Sequence, residues 1–289
     1  MKNSKLIVLS TAIVGTILGV GSSYAADMAV KAPVAVAPIY SWAGFYTGGN
    51  AGAGSGEGSY TLAPGGCFLT GCGAGGVAAN PLRTFTEDNL NTFFVGGAQA
   101  GYNWQAGNFV YGLEGDINYN GWNNTSNNIY TLAAPLAGTF TTAVNTKLNW
   151  FGTVRGRIGV AASSSILIYG TGGLAYGQVS SSTVGAFSAL GGFTALGETY
   201  AGTASNTRAG WTVGGGMEWL FMPNWSLKWE YLFIDLGKLN YADGCTAVCG
   251  AVATPPAYAT SVQFREQVAR VGLNYHFNPP PPAAVVAKY

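Results

Sequence analysis

Apolar and polar residues alternate with a period of two along most of the chain after residue 43. Within the stretch FVYGLEGDINY (109–119), odd-numbered positions are mostly aromatic or aliphatic, whereas Glu114 and Asp116 fall at even-numbered positions. A period of two is typical of a β-strand, because successive side chains of a strand point to opposite faces. The pattern predicts a strand with one apolar face and one face that carries two carboxylates.

Eight such segments follow one another and are separated by turn residues. Short turns are expected near 105–108, 162–165 and 222–224, and long loops at 55–91, 123–145, 180–206 and 240–261. An even number of strands with alternating short and long connections is typical of an outer-membrane barrel. The predicted fold class is therefore all-β, an eight-stranded antiparallel up-and-down transmembrane β-barrel. Its predicted strands are 44–54, 92–105, 109–122, 146–161, 166–179, 207–221, 225–239 and 262–277.

The composition favours a membrane barrel over a soluble sheet. Only 9% of the residues are charged, against about 25% in a usual globular chain. A soluble β-sandwich is the alternative, but its outward faces need polar residues that most of these strands lack. After the first 26 residues there is also no apolar run of about 18 residues, so a membrane-spanning helix is not expected.

The first residues have the pattern of a secretory signal. Lys2 and Lys5 precede an apolar stretch at 6–20, and Ser23-Tyr24-Ala25 offers a small-x-small cleavage site. We predict a signal peptide at 1–25 rather than a membrane anchor, because the apolar core is short. Residues 26–41 form a Pro- and Ala-rich periplasmic linker, 42–277 the barrel, and 278–289 a Pro-rich tail. Both termini are expected in the periplasm and the long loops outside the cell.

The net charge argues against a nucleic-acid partner. Removal of Lys2 and Lys5 leaves 11 basic residues against 12 acidic ones, so the exported chain carries a charge of about −1. Such a balance does not attract polyanions. The expected partners are instead outer-membrane lipid and lipopolysaccharide, with host or surface contacts through the loops.

The alternation assigns most charged residues of the strands to the inside of the barrel. Four acids and four bases share the inward parity, and an eight-stranded barrel is just narrow enough for side chains to fill. Paired charges are tolerated in such a place, whereas Arg or Lys facing mid-bilayer lipid costs about 2–4 kcal/mol. The predicted lumen network consists of Glu114, Asp116, Arg155, Arg157, Glu218, Lys228, Glu230 and Arg270.

Aromatic residues near the strand ends are expected to form girdles at the membrane–water interfaces. Glycines such as Gly97 and Gly173 are expected to permit close strand approach and strong curvature in a small barrel. The predicted girdle residues are Trp104, Tyr119, Trp122, Trp150, Trp225, Tyr275 and Phe277.

Four cysteines lie in the first and last predicted loops. Cys67 and Cys72 are five residues apart, and Cys245 and Cys249 are four apart. His276 does not complete a usual zinc set with them, and export favours disulfides. Pairing within each loop is the simplest arrangement, and a bridge between the two loops is the alternative.

Three groups of residues in the predicted strands could carry chemistry. Residues i and i+2 of a strand lie about 7 Å apart on one face, which suits acid–base chemistry by Glu114 and Asp116. Basic residues of the next strand, Arg155 and Arg157, favour a structural ion network instead. A triad around His276, the only histidine, is not favoured. The glycines at 170–175 fit a dinucleotide fingerprint only superficially, since no helical pattern follows. We expect neither an enzyme nor a cofactor or metal.

Seven blocks of the chain together resemble a known family. It is the small outer-membrane barrel family of alphaproteobacteria, often called porin-family or outer-membrane immunogenic protein, within the OmpA-like membrane-barrel superfamily. The resemblance covers nearly all of 41–277 and implies an abundant surface-exposed barrel tied to envelope integrity and host contact. The blocks are SWAGFYTGGNAGAG (41–54), AGYNWQAGNFVYGLEGD (100–116), GTVRGRIGV (152–160), YGTGGLAYG (169–177), GWTVGGGMEW (210–219), LKWEYLFIDLG (227–237) and ARVGLNYHF (269–277).

Two features depart from that family. Its members commonly end on the aromatic residue of the last strand, which the barrel-assembly machinery reads, whereas here a proline-rich tail follows Phe277. Either Phe277 is read internally or the terminal Tyr289 serves. The cysteine pairs are the second departure. The leading expected function is a structural outer-membrane barrel with a filled lumen, and the alternatives are a narrow diffusion channel and a loop-mediated adhesin.

Overall fold

The computed structural model describes residues 41–65, 83–132, 138–187, 199–247 and 257–277, with side chains at 41–62, 92–131, 139–186, 199–247 and 258–277. The signal peptide, the linker up to residue 40 and the tail 278–289 predicted from the sequence lie outside these ranges. Eight antiparallel strands close into a barrel in which each strand pairs with its neighbours in chain order and β1 pairs with β8. The strands are β1 Gly44–Gly65, β2 Arg83–Ala106, β3 Phe109–Leu132, β4 Gly138–Ala161, β5 Ile166–Phe187, β6 Thr199–Met222, β7 Trp225–Ala247 and β8 Ala257–His276.

The three predicted short turns are present at one end of the barrel. They connect β2 to β3, β4 to β5, and β6 to β7, and Gly107 in the first adopts a φ of 61°. We call this the short-turn end. Residue 41 and Phe277 also lie there, because β1 starts and β8 ends at it. Among the described residues, no helix is long and apolar enough to cross a membrane.

The prediction of four long loops is wrong over most of their lengths. The strands run to 20–24 residues, about twice the 9–11 residues that cross a bilayer. The region 123–145, for example, holds the end of β3 and the start of β4, which pair from Trp122↔Leu148 to Leu132↔Gly138. The alternating pattern weakens in these parts because Thr, Ser, Asn and Ala occupy both faces, so they resemble loops in sequence although the backbone ladder continues.

Several irregularities interrupt the register of the paired strands. In β4 the inward set changes from even to odd numbers at a bulge between Leu148 and Phe151. In β7 a second bulge lies between Asp235 and Gly237, where Gly237 adopts a φ of 74°. Pairing of β6 with β7 is also interrupted between Ala201 and Trp211. The bulges in β4 and β7 each add one residue to the strand. The side chains that follow the bulge therefore face the side opposite to the one that the numbering before it would give.

Two of the predicted close approaches involve glycines on the inner face. A Cβ at Gly97 would lie 2.0 Å from the carbonyl oxygen of Ile117, and one at Gly173 would lie 2.2 Å from that of Val154. No side chain fits at such distances. The backbone therefore requires glycine at both positions.

Candidate functional site

The inner face of the barrel carries a cluster of charged side chains at the level where the outer face is most apolar. Glu114 on β3 lies at its centre. Its carboxylate is 2.5 Å from Arg155 Nη2 on β4 and 2.9 Å from Lys228 Nζ on β7. Glu114 and Arg155 are direct register partners, so the ladder itself brings this pair together.

Asp116 and Glu230 share two arginines on the far side of Glu114. Arg270 on β8 donates to Asp116 at 2.7 Å and to Glu230 at 2.6 Å. Arg155 lies 3.0 Å from Asp116 and 3.1 Å from Glu230. Each guanidinium thus bridges carboxylates from strands on opposite sides of the lumen, and the charges tie the wall together across its width.

Glu218 forms the other end of the cluster. Its Oε2 accepts a hydrogen bond from Arg157 Nη2 at 2.9 Å. Two tyrosines that the sequence analysis did not single out complete this part. Tyr46 donates to Glu114 at 2.7 Å and accepts from Arg157 at 2.9 Å, while the ring of Tyr169 lies 4.1 Å below the Arg157 guanidinium. The alternation in the sequence predicts that both tyrosines point inward, because both lie at inward-facing positions of their strands.

All eight residues named from the sequence as a lumen network are buried, none being more than 6% exposed. A side chain that lined a water-filled channel would remain accessible to water, so the space around these groups is occupied by protein. Four carboxylates face four cations, and every carboxylate has at least one ion pair shorter than 3 Å. Such geometry offsets the desolvation of buried charges.

Two further acids point inward above this cluster. Glu266 on β8 is 2% exposed and accepts a hydrogen bond from Asn120 Nδ2 at 2.6 Å. Asp243 on β7 is 1% exposed and accepts one from Thr260. Neither has an ion pair among the described residues, so the charge balance holds for the eight and not for the whole inner face. Glu266 and Arg270 both lie at even-numbered positions of β8, so the alternation in the sequence predicts that Glu266 also points inward.

His276 lies inside the barrel at the short-turn end and contacts two possible triad partners. Its Nε2 is 2.8 Å from Ser226 Oγ and 3.2 Å from Glu218 Oε1. A catalytic triad needs the acid on the other ring nitrogen, so that the first can take the serine proton. Here both groups meet the same nitrogen, and all three residues are fully buried. The geometry is that of a packed polar cluster.

The other chemical motifs also have structural explanations. The glycines at 170–175 lie within β5, which continues as a strand to Phe187. Within the described ranges, no group of three His, Cys, Asp or Glu side chains could hold a metal ion.

Apolar side chains enclose the charged cluster from both ends. At the short-turn end Trp42, which precedes β1, is 1% exposed and packs with Val110, Leu167, Tyr169 and Leu220. Its backbone N–H donates to Gln105 Oε1 at 2.7 Å. At the opposite end the lumen is filled by a larger cluster that includes Phe93, Trp122, Phe151, Phe264 and Leu232.

The outer face of the barrel presents two aromatic belts. Trp104, Trp225, Tyr275 and Phe277 lie in the first, near the short-turn end, and Tyr119 and Trp150 lie in the second. Along β3 the belts are eight residues apart, from Tyr111 to Tyr119, which corresponds to roughly 20 Å at about 3.3 Å per residue and a tilt of about 40°. This matches the apolar band of an outer-membrane barrel, about 25 Å tall.

The placement of Trp122 in a girdle is wrong. Its side chain is 3% exposed inside the barrel and lies between the rings of Phe93 and Phe264, at centroid distances of 5.9 and 5.6 Å. Trp122 has the same parity as Glu114, and its proximity to the end of the predicted strand suggested an interface position. The strand in fact continues for ten residues beyond it.

Outward-facing charges are confined to a narrow level beside the second belt. Among the side chains that the structure describes, they are Glu57, Lys147, Asp235, Lys238 and Arg265, with Asp235 and Arg265 paired at 2.9 Å. Between the belts the outward positions are apolar, small or uncharged, and they include Leu113, Ile117, Val154 and Ile158, each more than half exposed. A surface of this kind fits a lipid bilayer.

Cys245 is the single cysteine within the described ranges, near the end of β7, and it is disulfide-bonded. Cys67, Cys72 and Cys249 lie outside those ranges. The pairing of the four cysteines therefore stays a prediction.

Comparison with known proteins agrees with this architecture. The family model for the outer membrane protein beta-barrel domain matches residues 22–277. The chain belongs to that family. Among its relatives, the 31 kDa outer-membrane immunogenic protein of Brucella melitensis biotype 1 is 37% identical over 270 residues, which cover 89% of this chain and 94% of the relative. The 22 kDa outer membrane protein of Rhizobium leguminosarum bv. viciae is 32% identical, over 74% of this chain and 72% of its own length.

Solved structures resemble the chain in fold alone. The outer membrane protein OprG from Pseudomonas aeruginosa has a TM-score of 0.40 at 11% sequence identity, covering 83% of this chain and 100% of that one. By its family, the chain is an outer-membrane barrel protein.

Proposed function

We propose that this protein is a structural component of the outer membrane whose lumen is closed to solutes. The observation that carries the proposal is the buried cluster around Glu114, in which charged side chains from β3, β4, β6, β7 and β8 meet across the lumen. A barrel closed in this way contributes a rigid wall to the envelope and performs no chemistry.

The apolar layers at both ends support the same reading. A diffusion channel needs a continuous polar path, whereas here the buried Trp42 cluster lies below the charges and the aromatic cluster around Trp122 lies above them. An ion would have to pass both layers without hydration, which is costly.

The proposed orientation follows from the lengths of the connections. Outer-membrane barrels have short periplasmic turns and longer extracellular connections. The short-turn end, and with it both chain termini, therefore faces the periplasm, and the strands rise beyond the second aromatic belt on the outside. Phe277, whose backbone N–H donates to the Phe45 carbonyl at 2.9 Å, closes the last strand and is the proposed recognition residue for the assembly machinery.

Conductance in planar bilayers tests the closed lumen. We expect the purified, refolded protein to give no stable open state of porin size, with or without reductant, because the disulfide of Cys245 lies far from the charged cluster along β7. A stable large conductance that changes its ion selectivity in Arg155→Gln would overturn the proposal and identify a channel.

A further inference from the structure

Beyond the second aromatic belt, β2 and β3 part from each other. Their pairing ends at Val95↔Asn120, although β2 continues to pair with β1 as far as Arg83 and β3 continues to pair with β4 as far as Leu132. Within the described residues, the facing edges of β2 and β3 are therefore unpaired from the belt to the outer ends of both strands. We call this line the β2/β3 seam.

A second seam lies on the opposite side of the barrel, between β6 and β7. Pairing stops at Trp211↔Asp235 and resumes at Ala201↔Gly244, close to the outer ends of the two strands. The β6/β7 seam is thus closed at its outer end, whereas no pair of described residues closes the β2/β3 seam. Gly237, which has a φ of 74°, lies beside the interrupted part of the β6/β7 seam.

The two seams divide the outer part of the barrel into two four-stranded sheets. One sheet consists of β3 to β6, and the other of β7, β8, β1 and β2, each with its three internal pairings continued almost to the strand ends. Their inner faces pack on each other through aromatic rings. Phe140 stacks on Tyr258 at a centroid distance of 5.5 Å, and Trp122 lies 5.6 Å from Phe264. The outer part is therefore a pair of packed sheets that continues from a closed barrel.

Tyrosine side chains connect the two sheets where backbone pairs are missing. At the β2/β3 seam, the hydroxyl of Tyr60 on β1 accepts a hydrogen bond from Asn128 Nδ2 on β3 and lies 3.4 Å from the Tyr130 hydroxyl. At the β6/β7 seam, the hydroxyl of Tyr241 on β7 lies 2.9 Å from Ser181 Oγ on β5. Each tyrosine thus reaches past the neighbouring strand to the sheet on the other side of its seam.

The seams are held by fewer hydrogen bonds than the rest of the wall. A paired strand edge carries a series of regularly spaced backbone hydrogen bonds, which must break together before two strands can part. At the β2/β3 seam, the contacts of Tyr60 take the place of that series. Stability is not uniform across a structure, and a region with few such bonds can open while the remainder stays folded.

The β6/β7 seam has the features of a hinge. Its outer end stays connected, because Thr246 Oγ1 on β7 also donates to the Thr199 carbonyl on β6 at 3.1 Å, next to the paired residues. Hinges are a few residues that absorb changes in φ and ψ. Gly237 at the bulge of β7 meets this need, because glycine adopts positive φ without steric cost.

We propose that the outer part of the barrel opens along the β2/β3 seam, with Tyr60 as the latch and the β6/β7 seam as the hinge. The closed form described above is the resting form, since apolar packing between the sheets favours it. Opening exposes the aromatic layer around Trp122 to water, whereas the charged cluster around Glu114 stays enclosed by a continuous ladder. The inference is independent of the closed lumen, because both the charged cluster and the Trp42 layer lie below the seams.

Labelling of buried thiols tests the inference. Val144→Cys on β4 and Val262→Cys on β8 each place a thiol on the inner face of one sheet, where both valines are 1% exposed. A maleimide reaches these thiols only in the open form, so the labelling rate in refolded protein follows the open population. Labelling of the chain without the added cysteine is subtracted. Tyr60→Phe should raise both rates roughly fivefold, the population change that loss of one ordinary hydrogen bond produces.

Two matched controls separate opening from general loosening. Val110→Cys places a thiol at an equally buried position at the short-turn end, and it should stay unlabelled with and without Tyr60→Phe. Tyr231→Phe also removes a tyrosine hydroxyl, which donates to Gln267 at 2.6 Å, but this bond joins β7 to β8 within one sheet. Tyr231→Phe should leave the rates at both test thiols unchanged.

Four outcomes would overturn the inference. They are unchanged rates in Tyr60→Phe, a rise at only one of the two test thiols, which would indicate fraying of a single sheet, an equal rise in Tyr231→Phe, and a rise at Val110→Cys. If Tyr60→Phe fails to refold, Asn128→Ala removes the same hydrogen bond from the other sheet. None of these outcomes bears on the closed lumen, which conductance measures separately.

Discussion

Glu114 is the residue on which most of the buried charges converge. Arg155, Lys228 and Tyr46 all contact its carboxylate within 3.0 Å. Removing one partner of a buried ion network leaves the others without compensation, which costs about 3–5 kcal/mol. The carboxylate therefore contributes to stability mainly by neutralising the cations around it.

Replacement of Glu114 by Lys should lower the stability of the barrel strongly. The new cation would face Arg155, Arg157 and Lys228 at close range. At about 2–4 °C for each kcal/mol, the midpoint of heat modification should fall by roughly 10 °C or more. Glu57→Lys is the matched control, because Glu57 is exposed on the outer face, and its effect should stay within about 0.5 kcal/mol. Equal midpoints for wild type and Glu114→Lys would mean that the lumen holds enough water to absorb the charge.

Asp243, which lies outside the membrane-spanning part, makes the stability of the barrel depend on pH. It lies near the end of β7, well beyond the second belt, and burial raises the pKa of its carboxyl from an ordinary 3.8 to about 6, although the hydrogen bond from Thr260 acts in the opposite direction. A raised pKa means that the folded state holds the proton more tightly than the unfolded state. The stabilisation is complete below about pH 4 and is lost as the pH rises through 6.

Asp243→Asn should remove this pH dependence. The wild type should melt lower at pH 8 than at pH 5, by roughly 2–4 °C, the shift that about 1 kcal/mol produces in a domain of this size. The variant carries an amide that does not ionise, so its two midpoints should differ less. Melting followed by circular dichroism at both pH values checks this, and an Asp243→Asn variant that keeps the full difference would locate the proton elsewhere.

At the scale of the element, the bulge in β4 allows one strand to contribute side chains to two different parts of the inner surface. Before it, Val144, Thr146 and Leu148 point inward, and after it Phe151, Thr153 and Arg155 do. Without the additional residue, one half of the strand would turn its inner side chains to lipid. The bulge thus allows the charged cluster and the aromatic cluster to share a single strand.

Deletion of Asn149 should therefore disrupt the barrel far more than substitution at the same position. A deletion would turn over either Arg155 and Arg157 or the apolar residues from Val144 to Leu148, and the first alternative places arginines in the lipid band at about 2–4 kcal/mol each. Asn149→Ala keeps the residue count and should refold normally, since Asn149 is exposed. The yield of heat-modifiable protein after refolding distinguishes the two, and similar yields would show that the ladder tolerates the shift.

At the scale of the whole molecule, the interior is ordered in layers along the barrel axis. An apolar layer with Trp42 closes the short-turn end, the charged cluster follows at the height of the lipid band, and an aromatic layer fills the part beyond it. In the proposed closed lumen, closure would not depend on any one of these layers. Its redundancy is consistent with a wall element, since a gated channel would concentrate the barrier at a single movable point.

Trp42→Ala should accordingly destabilise the barrel without opening it. Loss of a buried tryptophan costs about 3–5 kcal/mol, which heat modification would detect, while the charged cluster above remains intact and the conductance stays absent. Trp225→Ala, on the outer face, is the control for loss of an aromatic side chain. A channel that opens in Trp42→Ala alone would make this residue a gate.

The sequence determined the parts of the protein that follow from a period of two. Parity along each strand predicted eight strands, the three short turns and the inward direction of Glu114, Arg155 and the other six residues of the lumen network, because a strand places alternate side chains on opposite faces whatever its neighbours are. The low charge and the apolar outward residues indicated lipid for a similarly local reason.

The tertiary structure determined the features that the alternation of side chains along a strand does not encode. Which cation meets which carboxylate depends on register between strands that are far apart in the chain, as with Arg270 and Asp116. The continuation of β3 past Trp122 depends on pairing with β4, since its Thr- and Asn-rich residues have no apolar alternation of their own. A sequence records the face of a residue, whereas its height, its partner and the length of its strand are set by closure of the barrel.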